Sequence, residues 1–325
     1  MPISLSVSAK KISLIILATT LIYGCNGEPP QSTNEYATQG IRDGKFDATG
    51  SKVVISSINH GGSLWTTSDN QRLYNWNHQS GQFSDLILTA MSANGQVAMT
   101  SDQKNMVAWN AANGKSLGFW TAPNTLHSLS INNNGSYAAL GRRDNLASIL
   151  DISSGQIVRS LPHQDTVRSA NFVPNTNKIL TGSEDLTANL WNWRTGEKIR
   201  SWEHKYPVDL VVSNNQGTVA FAASYLDEGY LYDLNSGETL ATTGTPRNRI
   251  SAARFSKNDS KLLLGLFDGH VQLHDAKTGE MIKRWKAHIR PKVYREASHI
   301  TDLSFGNGNE ILAMGSNGLI NHFKP

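Results

Sequence analysis

The chain has 325 residues, 30 Lys and Arg against 26 Asp and Glu, a formal net charge of +4 and one cysteine. So mild a balance gives no argument for a nucleic-acid partner, and none is expected. A single cysteine excludes an intramolecular disulfide, and about 300 residues beyond an N-terminal leader are enough for a large core in one closed domain.

The leader comes first in the chain. Lys10 and Lys11 precede an apolar run from Ile12 to Ile22 that ends in Tyr23, Gly24 and Cys25. A basic start, about 11 apolar residues and a small residue before a cleavage point describe a secretory signal, whereas a membrane-spanning helix needs about 20. Residues 1–24 are therefore expected to be removed, which lowers the net charge to +2 because Lys10 and Lys11 leave with them. Leu21, Ile22, Tyr23, Gly24 and Cys25 resemble the lipobox of bacterial lipoproteins. That resemblance implies that Cys25 becomes an acylated, palmitate-bearing N-terminus, with an uncleaved signal anchor or a soluble secreted form as the alternatives. By analogy with bacterial sorting rules, Asn26 then implies an outer-membrane lipoprotein on the periplasmic side. Residues 25–43 are polar, with Pro29 and Pro30 and no apolar period, and are expected to form a flexible tether.

Six copies of a 14-residue pattern follow, and their closing glycines, Gly81, Gly114, Gly155, Gly196, Gly237 and Gly279, stand 33, 41, 41, 41 and 42 residues apart. A shortened seventh copy occupies 315–323. Recurrence at about 40–45 residues marks a four-stranded propeller blade, a unit that cannot bury its apolar faces alone. In one unit, residues 178–183 are a β-rich run, 184–186 a tight turn, 188–191 the next strand, 194–196 a second turn closed by glycine, and 198–202 an outer strand. The expected architecture is all-β, a seven-bladed β-propeller of four-stranded antiparallel blades over residues 44–325.

The fourth copy, with His163, Gly182, Ser183, Asp185, Leu190 and Trp191, resembles the WD-repeat family. The resemblance implies a structural tetrad of His163, Ser183, Asp185 and Trp191, hydrogen-bonded across the inner strands and not catalytic. Other copies depart from it: the Asp position holds Asn70, Gln103, Leu226 and Asn317, and the Trp position holds Leu150, Tyr232, His274 and Phe323. The same pattern places Trp76 and Trp109 at the position of Trp191.

Motifs that suggest chemistry are weak. Gly114, Lys115, Ser116, Leu117 and Gly118 match a nucleophile elbow, but they lie in a repeat-closing turn and not in a strand-to-helix turn. His270 and His274 lie on one strand, about 13 Å apart, too far to share a metal ion. No metal and no cofactor are expected.

Between the sixth and seventh units the spacing grows to 49 residues, with the extra length at 289–298. There Arg290, Lys292, Tyr294 and Arg295 are expected to share a ring face with Arg142, Arg143, Arg247 and Arg249. This basic face is a candidate site for an acidic protein or an anionic polymer; the competing reading is a solvated loop beside a lysine-guarded sheet edge. The sequence reading is thus a lipid-anchored scaffold for protein partners and not an enzyme. A quinoprotein-like enzyme with its site at the axial channel is one alternative, and an outer-membrane protein assembly factor is another. Because the chain stops before a fourth strand of the seventh blade, residues 41–49 are expected to supply it and fasten the two ends together.

Overall fold

The computed structural model describes residues 27–79, 81–244, 248–288, 298–306, 308 and 310–325. Strand β1 (Ser32–Glu35) precedes blade 1, which holds β2 (Ile41–Phe46), β3 (Lys52–Ser57), β4 (Gly61–Thr66) and β5 (Arg72–Trp76). Blade 2 holds β6 (Leu88–Met91), β7 (Val97–Ser101), β8 (Asn105–Asn110) and β9 (Ser116–Thr121), and blade 3 β10 (Leu126–Ile131), β11 (Tyr137–Arg142), β12 (Leu146–Asp151) and β13 (Ile157–Pro162). Blade 4 holds β14 (Val167–Phe172), β15 (Lys178–Ser183), β16 (Thr187–Asn192) and β17 (Glu197–Glu203), and blade 5 β18 (Val208–Ser213), β19 (Val219–Ser224), β20 (Gly229–Asp233) and β21 (Thr239–Thr243). Blade 6 holds β22 (Ile250–Phe255), β23 (Lys261–Leu266), β24 (His270–Asp275) and β25 (Met281–Lys286); blade 7 holds β26 (Ile300–Phe305), β27 (Ile311–Gly315) and β28 (Leu319–Phe323). Each sheet is antiparallel and four-stranded, and β1 is the fourth strand of blade 7. The expected seven-bladed ring is what the chain forms.

The repeat follows from local chemistry. At the turn between third and fourth strands, Asn110, Asp151, Asn192, Asp233 and Asp275 each accept the backbone N–H groups two and three residues on. The closing glycine of each turn then takes a positive φ, which a side chain resists. Alternation along the strands sends apolar residues toward the neighbouring blade. Seven buried clusters result, one at each junction; Leu312, Met314 and Ile320 of blade 7, for example, pack with Ile41, Val53 and Ile55 of blade 1.

Two expectations are corrected here. Residues 41–49 do not close blade 7: β2 is the inner strand of blade 1, paired with β3, and it buries Ile41 and Phe46. The closing strand is β1, in register with Ser32 opposite His322 and Glu35 opposite Leu319. It lies within the stretch expected to be a tether. An outer strand touches solvent on both faces, so Ser32, Thr33, Asn34 and Glu35 carry no apolar alternation to betray it. Glu28 continues the attachment onto blade 6, where its N–H donates to Arg284 O and its carbonyl accepts from Lys286 N–H.

The first of the six repeat copies is also displaced. Trp76 lies on the outer strand β5, while the residue matching Trp191 in blade 1 is Trp65, opposite Val53 as Trp191 is opposite Ile179. Trp65 stands 44 residues before Trp109, which removes the anomalous spacing of 33.

Candidate functional site: the ring face at blades 4 to 7

The hydrogen-bonded tetrad of blade 4 exists with one member exchanged. His163 Nδ1 meets Asp185 Oδ2 at 2.8 Å, His163 Nε2 meets Thr181 Oγ1 at 2.7 Å, and the Trp191 indole N–H donates to Thr181 Oγ1 at 2.8 Å. The hydroxyl is therefore Thr181 and not Ser183, which instead donates to Asp165 O and accepts from Asp185 N–H. Residues 181 and 183 point to the same face of β15, and only the third-strand tryptophan, opposite Ile179, selects the nearer one. Burial holds the His163 imidazole below its ordinary pKa, against the pull of Asp185. A neutral ring donating from Nδ1 to Asp185 and accepting at Nε2 satisfies the whole chain of bonds. Blade 2 repeats part of it through His78, Thr100 and Trp109. Blade 5 does so through His204, Ser224 and Tyr232.

The expected basic face divides. Arg142 is not part of it: it is buried, its guanidinium paired with Asp144 and bonded to Ser148 Oγ, because it occupies the inward-facing end of β11. Arg290, Lys292, Tyr294, Arg295 and Arg247 lie outside the described residues, as does Cys25. Arg143 is exposed and Arg249 half-exposed. Both stand where a second strand ends beside the start of a first strand, so they share one end of the ring.

Around Arg249 the structure assembles residues that the sequence reading did not single out. Tyr225 and Phe267 occupy the same turn position in blades 5 and 6, each 47% exposed. The Arg249 guanidinium carbon lies 5.8 Å from the Tyr225 ring centroid and 5.7 Å from that of Phe267. Its Nε meets Asp209 Oδ2 at 3.1 Å, which fixes its direction. Phe267 in turn stacks on His299 of blade 7, centroids 5.0 Å apart and planes 7° off parallel. Burial, with Arg249 adding to it, lowers the His299 pKa and favours the neutral ring. The result is a row of flat groups, Tyr225, Arg249, Phe267 and His299, across three blades. Such amphipathic, low-entropy side chains carry most of the energy at protein interfaces.

Two leucines extend the row. Leu186 and Leu226 are exposed and adopt φ of 68° and 62°. Asn145, Gly269 and Gly318 fill the Leu186 position in other blades. A leucine in this left-handed conformation costs about 1–2 kcal/mol, and here each leaves a large part of its apolar surface in solvent.

Beside this row, a depression of about 250 Å³ enters the channel mouth, with Arg42, Asp43, Lys45, Asp209 and Arg249 in its wall. Its deeper charges are mutually satisfied. Lys45 Nζ lies 3.6 Å from Asp43 and 3.2 Å from Thr301 O, Asp43 Oδ2 accepts from Thr89 N–H at 2.8 Å, and Arg254 pairs with Asp302 at 3.2 Å. Desolvation raises the Asp43 carboxyl pKa, whereas for Lys45 the nearby Asp43 and Asp302 outweigh desolvation and hold the ammonium above its ordinary value. This convergence of titratable groups was not visible in the sequence. Asp43, Lys45, Arg254 and Asp302 each have a protein partner, an arrangement suited to locking blades 6, 7 and 1 together. Among the described residues no three His, Cys, Asp or Glu side chains stand together as metal ligands. His270 is turned to Asp268, and His274 to Gly279 O and Gln272.

Residues 155–192 match the family model described as WD domain, G-beta repeat. Among solved structures, the WD40 beta propeller domain of Doa1 aligns with a TM-score of 0.72 over 91% of this chain and 96% of that one, at 18% identity. The fold is a WD40-type propeller. The chain is 28% identical over 200 residues to Eukaryotic translation initiation factor 3 subunit I of Scheffersomyces stipitis, covering 56% of each chain. It is 31% identical over 138 residues to the protein of that name in Aspergillus oryzae, covering 39% of this chain and 41% of the relative. It thus spans about half the length of the curated relatives it matches. These relatives overturn the outer-membrane, periplasmic placement. That placement rested on bacterial sorting rules, and the relatives are named as subunits of a eukaryotic translation factor.

Proposed function

We propose that the chain is a protein-interaction scaffold and that its docking site is the ring face at blades 4 to 7. The carrying observation is Arg249 held by Asp209 between two exposed rings, Tyr225 and Phe267. A partner segment that lays apolar side chains on Tyr225, Phe267, Leu186 and Leu226 and brings a carboxylate to Arg249 or Arg143 fits this surface. The partner is therefore read as an acidic protein segment, and Arg290, Lys292, Tyr294, Arg295 and Arg247, which lie outside the described residues, belong to the same proposal. Membership in a multi-subunit assembly agrees with the relatives' names. Purification of the tagged chain with its partners tests it. The double substitution Tyr225→Ala, Phe267→Ala should strip a stoichiometric partner while leaving the melting temperature unchanged; a partner retained in full would contradict it.

The leader remains a proposal as well: cleavage before Cys25 with lipidation of that residue. The intact mass of the mature chain tests this, since cleavage at that residue with added acyl mass supports it and an unmodified N-terminus does not. The outcome has no bearing on the ring-face proposal.

A further inference from the structure

Neighbouring blades meet through a recurring pair: one residue near the end of an outer strand, and one on the third strand of the next blade. Trp76 stacks on Trp109 with centroids 5.2 Å apart and planes 8° off parallel, Trp202 on Tyr232 at 4.8 Å and 22°, and Trp285 packs against Phe323 at 5.7 Å and 37°. Trp120 holds the matching position in blade 2, opposite Met106 as Trp202 is opposite Ala188. Its counterpart in blade 3 is Leu150, opposite Ala138 as Trp109 is opposite Ala98. Leu150 brings no ring.

The missing ring leaves a cavity of about 260 Å³ bounded by Met106, Trp120, Pro123, Leu140, Leu150 and Ile157. Gly155 lets the Trp120 indole, which forms one wall, pack directly against the turn backbone, since a Cβ there would stand 1.8 Å from the indole nitrogen. An apolar cavity of about 150 Å³ already admits benzene, so this one has room for a substituted ring. Trp76 and Trp202 donate their indole N–H groups to Gly114 O and Gly237 O.

We propose that this cleft between blades 2 and 3 is a binding site for a single planar aromatic ring, which takes the place that an aromatic side chain fills at the equivalent junctions. The ring lies on the Trp120 indole with its edge toward Leu140 and Leu150. The source of the ring is either a free small molecule or a side chain of a bound polypeptide.

The test is a titration of the ¹⁵N-labelled full chain with benzamide and, separately, with N-acetyl-phenylalanine amide, followed by tryptophan indole N–H resonances. The Trp120 signal is assigned by its loss in Trp120→Phe. A saturable shift of that signal, weakened at least tenfold in Leu150→Trp, is the expected result. Leu150→Phe, carrying the residue type that blade 7 uses, gives the same reading if the larger side chain prevents folding. Tighter binding of the amino-acid amide assigns the ring to a polypeptide, tighter binding of benzamide to a small molecule, and either supports the site. No saturable shift up to the solubility of both probes, or equal binding by the filled variants, would overturn it.

Discussion

Trp191 donates its indole N–H to Thr181 Oγ1 at 2.8 Å, and the same hydroxyl meets His163 Nε2 at 2.7 Å. One threonine therefore satisfies two buried polar groups from different segments of blade 4. Thr181→Val should leave both unpaired and cost about 2–4 kcal/mol, whereas Ser183→Ala, which loses its bond to Asp165 O and the one it accepts from Asp185 N–H, should cost less, about 1–2 kcal/mol. Urea denaturation of the two variants compares them. Equal losses would mean that the tetrad does not turn on Thr181.

The ends of the chain fasten each other through β1 and β28. Tyr36 follows β1, buried edge-on against Trp65 at 5.1 Å, with its hydroxyl donated to Asn70. Removing residues 27–36 exposes the β28 edge and the Trp65 pocket, at a cost of about 3–5 kcal/mol, or roughly 10 °C in Tm. Calorimetry of the truncated chain checks this. A truncated chain with an unchanged Tm would show that blade 7 does not need its fourth strand.

His204 is buried between Ser224 and Tyr232, and burial drives its pKa from 6.5 down to about 4. Above pH 6.5 neither state binds the proton. Between pH 6.5 and 4 the unfolded chain takes it up and the folded chain does not, so stability falls as pH falls, by about 3 kcal/mol across that window. Burial depresses His78, His163 and His274 in the same direction. The free energy of unfolding, measured from pH 7 to 4.5, should decline less steeply in His204→Gln than in the parent chain. Parallel slopes would remove His204 from the account.

Much of the ring was legible in the sequence because its period is enforced locally. The Asx-and-glycine turn closes five consecutive blades, and the alternation beside it leaves no helical reading. What the sequence hid has identifiable causes. Trp76 and Asn77 imitate a third-strand ending, yet they lie at the end of an outer strand, because tryptophan serves both the tetrad and the stack on the next blade. The closing strand β1 is polar since it faces solvent. Arg142 looked like surface, but Asp144 and Ser148 make its burial tolerable. The row of Tyr225, Arg249, Phe267 and His299 comes from three blades separated by tens of residues. Its only sequence signal is the shared position of Tyr225 and Phe267 one residue after the second strand, where polar residues stand in most other blades.

The central claim is that partners dock on the ring face bearing Tyr225, Arg249 and Phe267. Its most direct measurement is site-specific photocrosslinking in the native cell, with a photoreactive phenylalanine analogue at position 267 and, as the control, at position 235 in the turn at the opposite end of the ring. A discrete heavier adduct containing a second protein at 267 and none at 235 is the predicted result; an adduct at 235 with none at 267 would contradict the account.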